Sequence, residues 1–464
     1  MNIRILALAV STLGLLCAAV VPLAAHAAHS VPIVLRDVRV IDGNGGPPLE
    51  HADVIITGSH ITAINAQPIP ANATIIKLTG KTVLPGLISN HSHLGLTKGT
   101  TASGNNITRA NILRQLQQYT AYGVTTVTSL GLNLKPFYDL QPQAHSGATR
   151  SADMFGADKG FGVPSGAPPT SLGILDTQVY RPRTPEEARS EVRETAQRHP
   201  DLIKIWVDDL RGSATKMNPE VYKAVIDEAH TNGMRVAAHV YYLDDAKQLV
   251  ADSTDILAHG IRDQPVDADF IKSIKARGAW YVPTLDLEET FYIYAEHPEW
   301  LDQPFFRRSL QPSLAAQFSD SAWRAKVLGD TKTVGVHKQA LATNMKNVKA
   351  LFDGGVNIGF GTDSGATPLR IAGFAEHREL KLLTEAGLTP VQAIQTATRN
   401  AAALLHLDDR GVIAPGKLAD LLIVDGDPSK DIAAVDSIDS VWRRGKKVAD
   451  ARWFKPRGSA PPPQ

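Results

Sequence analysis

Hydrophobic and polar positions alternate from Val31 to Ile64, and a similar block recurs at the far end, from Ala419 to Val424 and Val441 to Val448. Alternation with period two marks half-buried strands. Gly43, Gly45, Gly46 and Pro47 supply a turn in the first block, and Asp425-Gly426-Asp427-Pro428 supplies one in the last. The two ends are therefore predicted to meet in one small β-sandwich domain, built from residues 29–82 and 406–456. Between them, over 83–405, apolar β-rich runs alternate with helical patterns. The predicted strands are Val83–Ile88, Val124–Leu130, Ala152–Gly156, Leu202–Val207, Arg235–Val240, Asp255–His259, Trp280–Leu285 and Val356–Thr362. Predicted helices include Asn106–Tyr122, Pro185–Arg198, Pro219–Asn232, Asp244–Ala251 and Ala268–Arg277. Thr184-Pro185-Glu186-Glu187 places a capping side chain, a proline and two acids at a helix start. Gly233 and Gly278 stand where helices should stop. Eight such units predict an α/β fold of the (β/α)8 TIM-barrel type, which needs about 250 residues. The alternative, an open doubly wound sheet, lacks support because no Gly-x-Gly-x-x-Gly follows the first strand.

Two segments break the rhythm. Residues 158–176 are rich in glycine and proline, and 286–339 are long, helical and aromatic. Both follow strands, so in a barrel both would stand over the face where chemistry occurs. The second is expected to form extra helices with their own core, which is compatible with a substrate lid.

Composition narrows the class. A hydrophobic share of 43% and a charged share of 20% describe an ordinary globular chain, and a net charge of +1 gives no reason to expect nucleic acid. The N-terminus differs. Arg4 precedes an apolar run from Ile5 to Val21, followed by Ala25-His26-Ala27-Ala28. This is the pattern of a secretory signal peptide over 1–28, cleaved after Ala27 or Ala28. The run is slightly short for a membrane anchor, and its small-residue ending argues for cleavage. The expected destination is the periplasm or the exterior, with no membrane attachment after cleavage. The single cysteine, Cys17, lies inside that segment, so any metal must be held by nitrogen and oxygen. The sequence does not fix the oligomeric state, and a homo-oligomer is compatible with it.

Candidate chemistry collects at the strand ends. His91 and His93 are one residue apart, so an extended strand presents both imidazoles on one face. Lys204 lies inside the apolar run Leu202–Val207, His239 follows Val236-Ala237-Ala238, and His259 follows Ile256-Leu257-Ala258. Asp363 follows Gly359-Phe360-Gly361-Thr362. Each alone is commonly structural, and the lysine could be salt-bridged to Asp208 or Asp209. Together they are hard to explain by packing. Four imidazoles and a carboxylate suit divalent metal, with zinc the default and manganese, cobalt or iron able to use the same ligands. An ammonium would repel a metal. A buried, neutral lysine can instead add carbon dioxide and become a carbamate with two ligand oxygens.

Several matching pieces now give a resemblance. They are Pro85-Gly86-Leu87-Ile88 before His91-Ser92-His93, Gly123-Val124-Thr125-Thr126-Val127, and Ile203-Lys204-Ile205. They continue with His239, Ala258-His259-Gly260, Gly361-Thr362-Asp363 and Gly416-Lys417-Leu418-Ala419-Asp420-Leu421. The chain resembles the amidohydrolase superfamily, in its binuclear branch with a carboxylated lysine, and is similar to imidazolonepropionase-like proteins and Xaa-Pro dipeptidases. The resemblance implies that His91, His93 and Asp363 bind one metal, that His239 and His259 bind a second, and that carboxylated Lys204 and a hydroxide bridge them. It further implies that Tyr241 polarises the substrate carbonyl, although Tyr242 competes for that assignment, and that Asp363 moves the proton. Asn90 and Thr128-Ser129-Leu130-Gly131 depart from the usual pattern, which bears on the substrate pocket. Arg262 and Arg370 are candidates to clamp a substrate carboxylate. The expected activity is hydrolysis of an amide or peptide C–N bond in a small Xaa-Pro-like dipeptide or N-acyl amino acid. An esterase, lactonase or toxin-degrading hydrolase on the same site is the alternative. A non-catalytic binding protein is a further reading, but no ligand is missing.

Overall fold

The structure is a computed structural model that describes residues 30–455. The expected signal peptide lies outside the described residues. Strands from both chain ends share one eight-stranded mixed sheet. In it, Lys81–Pro85 pairs in parallel with Ile33–Val40 and antiparallel with Leu421–Asp425, so the two ends are joined through a central seam. This sheet has its own apolar core, including Leu35, Val54, Ile61, Leu421 and Trp442.

Eight further strands run parallel: Leu87–Ser92, Val124–Ser129, Asp153–Gly156, Ile203–Trp206, Val236–His239, Ile256–Ala258, Trp280–Val282 and Asn357–Ile358. Ladders join the first three and the last five. A parallel bridge between Ala157 and Leu202 links the two groups. The last strand returns to the first through Asn90 N–H to Phe360 C=O (2.6 Å) and Asp363 N–H to His91 C=O (2.9 Å). The strands thus follow one another in a continuous circuit, with helices between most of them.

The expected first strand, Val83–Ile88, is in fact parts of two. Residues up to Pro85 belong to the end sheet, and the parallel strand begins at Leu87. Gly86 lies between them, and only glycine fits there, because a Cβ would lie 2.3 Å from the Thr125 side chain. A continuous apolar run does not reveal such a change of sheet. The helix signals hold: Thr184 Oγ1 accepts from Glu187 N–H at 3.2 Å, and Gly278 caps its helix at φ 72°.

The aromatic segment after the seventh strand forms short helices followed by the long helix Thr331–Asp353. Tyr292, Tyr294, Phe306, Leu314 and Phe318 pack there with Tyr122 and Phe374. Stacked rings, such as Tyr294 on Phe318 at 4.7 Å, give these helices a core of their own. No helix among the described residues is long and apolar enough to cross a membrane.

Candidate metal centre

The first and eighth strands approach closely enough to bring His91, His93 and Asp363 together. Gly361 makes this approach possible, because a Cβ at that position would lie 2.7 Å from the backbone nitrogen of His91. Asp363 Oδ1 stands 3.2 Å from His91 Nε2 and 3.0 Å from His93 Nε2. One potential ligand atom from each residue lies within 4.8 Å of the others. The next imidazoles adjoin them: the His259 ring is 4.4 Å from His91, and His239 is 4.3 Å from His259, centroid to centroid. Asp363 and His259 both have left-handed backbones, at φ 59° and 93°. Such conformations are strained for these residue types, and strain of this kind concentrates at functional sites.

Unpaired polar atoms test whether this donor set suits a metal. Among the described residues, Nδ1 of His91, Nδ1 of His93 and Nζ of Lys204 are buried without a hydrogen-bond partner, and Nε2 of His91, though 3.2 Å from Asp363 Oδ1, makes no hydrogen bond either. Orphaned buried polar atoms are costly, and four in one place call for a ligand. Burial and the neighbouring Lys204 depress His91 to about 3, which leaves it a neutral base at physiological pH. Burial lowers the Lys204 ammonium to about 7, with Asp363 opposing the shift. A substantial share of Lys204 is then the neutral amine, the form that adds carbon dioxide. Burial opposes the charge on Asp363, yet Arg370 and the two histidines outweigh it and hold the carboxyl well below the usual range. A neutral His91, an ionised Asp363 and a partly neutral lysine fit divalent metal.

Three residues that the sequence reading did not place complete the frame. Asp208 Oδ2 accepts from His239 Nε2 at 3.0 Å, which leaves Nδ1 of that ring as the nitrogen free to accept. Thr284 Oγ1 meets His259 Nδ1 at 2.9 Å, which leaves Nε2. Glu376 is fully buried, and its Oε1 accepts from Thr362 Oγ1 and Ser364 Oγ, both at 2.7 Å, and from Ser89 Oγ at 3.1 Å. It thereby grips both neighbours of Asp363. Asp208 lies beside the fourth strand, where its position suggests a salt bridge to Lys204. The structure turns it to His239 instead, and turns Asp209 to the Tyr242 hydroxyl at 3.0 Å.

That contact also separates the two tyrosines. Tyr242 is engaged by Asp209, whereas the Tyr241 hydroxyl has no hydrogen bond among the described residues, and its ring lies 4.8 Å beneath the Arg262 guanidinium. Arg262 is itself buried, donating to Glu288 at 2.8 Å and to the Val240 carbonyl at 3.1 Å. Arg370 is bound to Asp363 Oδ2. Both candidate clamps therefore pair with the protein's own groups, although Nε of each is buried without a hydrogen-bond partner among the described residues.

Comparison with known proteins gives the family and the overall fold. The model of the amidohydrolase family matches residues 82–448. The chain belongs to that family. Over 106 residues, 22% of this chain and 26% of the relative, it is 35% identical to imidazolonepropionase of Deinococcus deserti. Over 407 residues, covering 85% and 87% of the two chains, it is 23% identical to enamidase of Eubacterium barkeri. A crystal structure of a Xaa-Pro dipeptidase with bound methionine superposes with a TM-score of 0.70 at 24% identity, over 90% of this chain and 99% of that one. The resemblance read from the sequence motifs is thus borne out at the level of family and overall fold.

Proposed function

We propose that this protein is a binuclear metal-dependent hydrolase that cleaves the amide or peptide bond of a small substrate, an Xaa-Pro-like dipeptide or an N-acyl amino acid. Family membership supports hydrolysis at a C–N bond. The observation that carries the metal reading is the convergence of His91, His93 and Asp363 around buried, unpartnered nitrogens, with unpartnered Lys204 in the same interior. In this reading the circuit of parallel strands is a (β/α)8 barrel over 83–405, and the sheet of both chain ends is the small sandwich-like domain. Export to the periplasm or exterior follows from the N-terminal pattern.

His91, His93 and Asp363 would hold one metal, His239 and His259 the second, and Lys204, as its carbamate, would serve both. When bound, two divalent ions, zinc by default, supply Lewis acidity and lower the pKa of a water from 15.7 towards about 7. The remaining work belongs to the chain. Asp363, held ionised by Arg370 and the histidines, takes a proton from the attacking water and delivers it to the leaving nitrogen. Tyr241, its hydroxyl free, donates a hydrogen bond to the carbonyl oxygen as negative charge develops there. Asp208 and Thr284 hold the second pair of imidazoles in one orientation throughout.

A screen of dipeptides, N-acyl amino acids and matched esters tests the reading. Turnover of amides that is abolished by a chelator and restored by zinc or manganese is the expected result. Turnover of esters alone, with every amide inert, would refute the substrate assignment.

A further inference from the structure

The two arginines singled out from sequence are buried and paired with Glu288 and Asp363, but a third, more accessible guanidinium stands over Tyr241. Arg211 lies in the loop after the strand that carries Lys204, and its guanidinium sits 5.2 Å over the Tyr241 ring. Tyr241 is two residues beyond His239, so on the role proposed for Tyr241 above, Arg211 would border the substrate carbonyl.

The loop is bent to put it there. Leu210 and Arg211 both adopt left-handed backbones, at φ 52° and 61°, which bulky residues rarely do. Two side-chain bonds impose the turn: Asp208 Oδ1 accepts from Leu210 N–H at 2.8 Å, and Asp209 Oδ1 accepts from Gly212 N–H at 3.1 Å. Strain maintained by dedicated bonds near a reaction centre points to a positioned side chain.

The charge balance leaves this guanidinium in surplus. Glu288 is buried, with Oε1 taken by Arg262 at 2.8 Å and Oε2 by His337. Arg211 reaches Oε2 only at 3.6 Å, beyond hydrogen-bond range, and this is its only ion pair among the described residues. Asp208 and Asp209 are committed to His239 and Tyr242. The Arg211 side chain keeps 37% of its exposure, against 4% for Arg262. Two arginines thus share one carboxylate, and the accessible arginine is the one poorly paired.

We infer that Arg211 selects substrates bearing a free carboxylate next to the scissile bond, by accepting that carboxylate on its planar guanidinium. This rests on the hydrolase reading above and deepens it. Arginine suits the role because two parallel N–H donors match the two carboxylate oxygens, which lysine cannot reproduce.

The test uses the metal-loaded protein and matched pairs of N-acetyl amino acids and their C-terminal amides, with leucine, methionine, proline and phenylalanine side chains. The wild type should favour the free acids in kcat/KM by on the order of 10- to 100-fold, the range expected of a charged hydrogen-bonded pair. In Arg211→Ala that ratio should fall towards one, mainly through KM, and Arg211→Lys should recover only part of it. Calorimetric titration of the same acids and amides, with no turnover required, should show acid binding weakened in Arg211→Ala. A ratio unchanged in Arg211→Ala, or a wild type with no preference for the acids in turnover or binding, would overturn the assignment of Arg211. If no member of either series is hydrolysed while the acids still bind through Arg211, the hydrolase reading fails and the carboxylate site stands.

Discussion

Replacing Glu376 by glutamine should loosen the candidate metal site of His91, His93 and Asp363 although Glu376 bonds to none of the three. Its Oε1 accepts three hydroxyls, from Ser89, Thr362 and Ser364, and its Oε2 accepts Gly373 N–H at 2.8 Å. Burial pushes this carboxyl's pKa up, and the bonds from Ser364, Thr362 and Gly373 oppose that shift. Glutamine offers one acceptor oxygen and one donor group. With its oxygen towards the hydroxyls, its amide nitrogen faces Gly373 N–H and leaves a buried donor unpaired, at about 1–3 kcal/mol. The hydroxyl bonds also lose charge assistance, at about 1 kcal/mol each, partly offset because no charge remains buried. The net loss should be about 2–5 kcal/mol, a large part of the roughly 5–15 kcal/mol that holds a domain folded. Thr362 and Ser364 flank Asp363, so metal affinity should also fall, by about 10- to 100-fold as for other groups that orient ligands. Urea unfolding of the metal-free protein reads the first effect, and chelator competition reads the second. Stability within about 0.5 kcal/mol of wild type, the range of an ordinary surface change, together with unchanged affinity, would refute the reasoning.

Three other outcomes follow from the same geometry. Lys204→Ala should abolish turnover, with partial recovery on adding short carboxylic acids and metal; in the wild type, uptake of 13C-labelled carbon dioxide at Lys204, read by NMR, should be lower at pH 6 than at pH 8, because the amine is protonated below its value of about 7. Asp208→Asn should weaken occupancy of the second metal by about tenfold while the first stays filled, since a charge-assisted bond to His239 becomes a neutral one; equal loss from both sites, measured by metal analysis during chelator titration, would contradict it. His145 donates to buried Asp153, chiefly through that hydrogen bond, and its pKa is raised above 6.5. A raised histidine adds stability that is fully present below its unfolded pKa and lost as pH rises through the folded one, so His145→Gln should lower the thermal midpoint more at pH 5.5 than at pH 9.

How far the molecule was legible depended on how local each signal was. Periodicity and caps are local, so the alternation of strands and helices, and the stops at Gly233 and Gly278, could be read directly. The strand-end residues followed because the spacing of His91 and His93, and the apolar runs before Lys204, His239, His259 and Asp363, are also local. Gly86 hid a change of sheet inside one apolar run, since nothing nearby marks which sheet a strand joins. Glu376 was invisible for the opposite reason: it meets Ser89 across 287 positions of sequence. On its own helix it resembles any acidic residue in a first turn. The partner of Arg262 was equally hidden: His259 is its neighbour in sequence, but its guanidinium pairs with Glu288, 26 residues later.

The central claim is that this interior holds metal and that the metal drives amide hydrolysis. The most direct measurement is the metal content of the purified protein, taken beside its amide-hydrolysing activity during chelation and reloading. About two divalent ions per chain are expected, with activity falling and returning in step with them. A protein that binds no divalent metal under any loading condition, or that hydrolyses amides undiminished after complete metal removal, would contradict it.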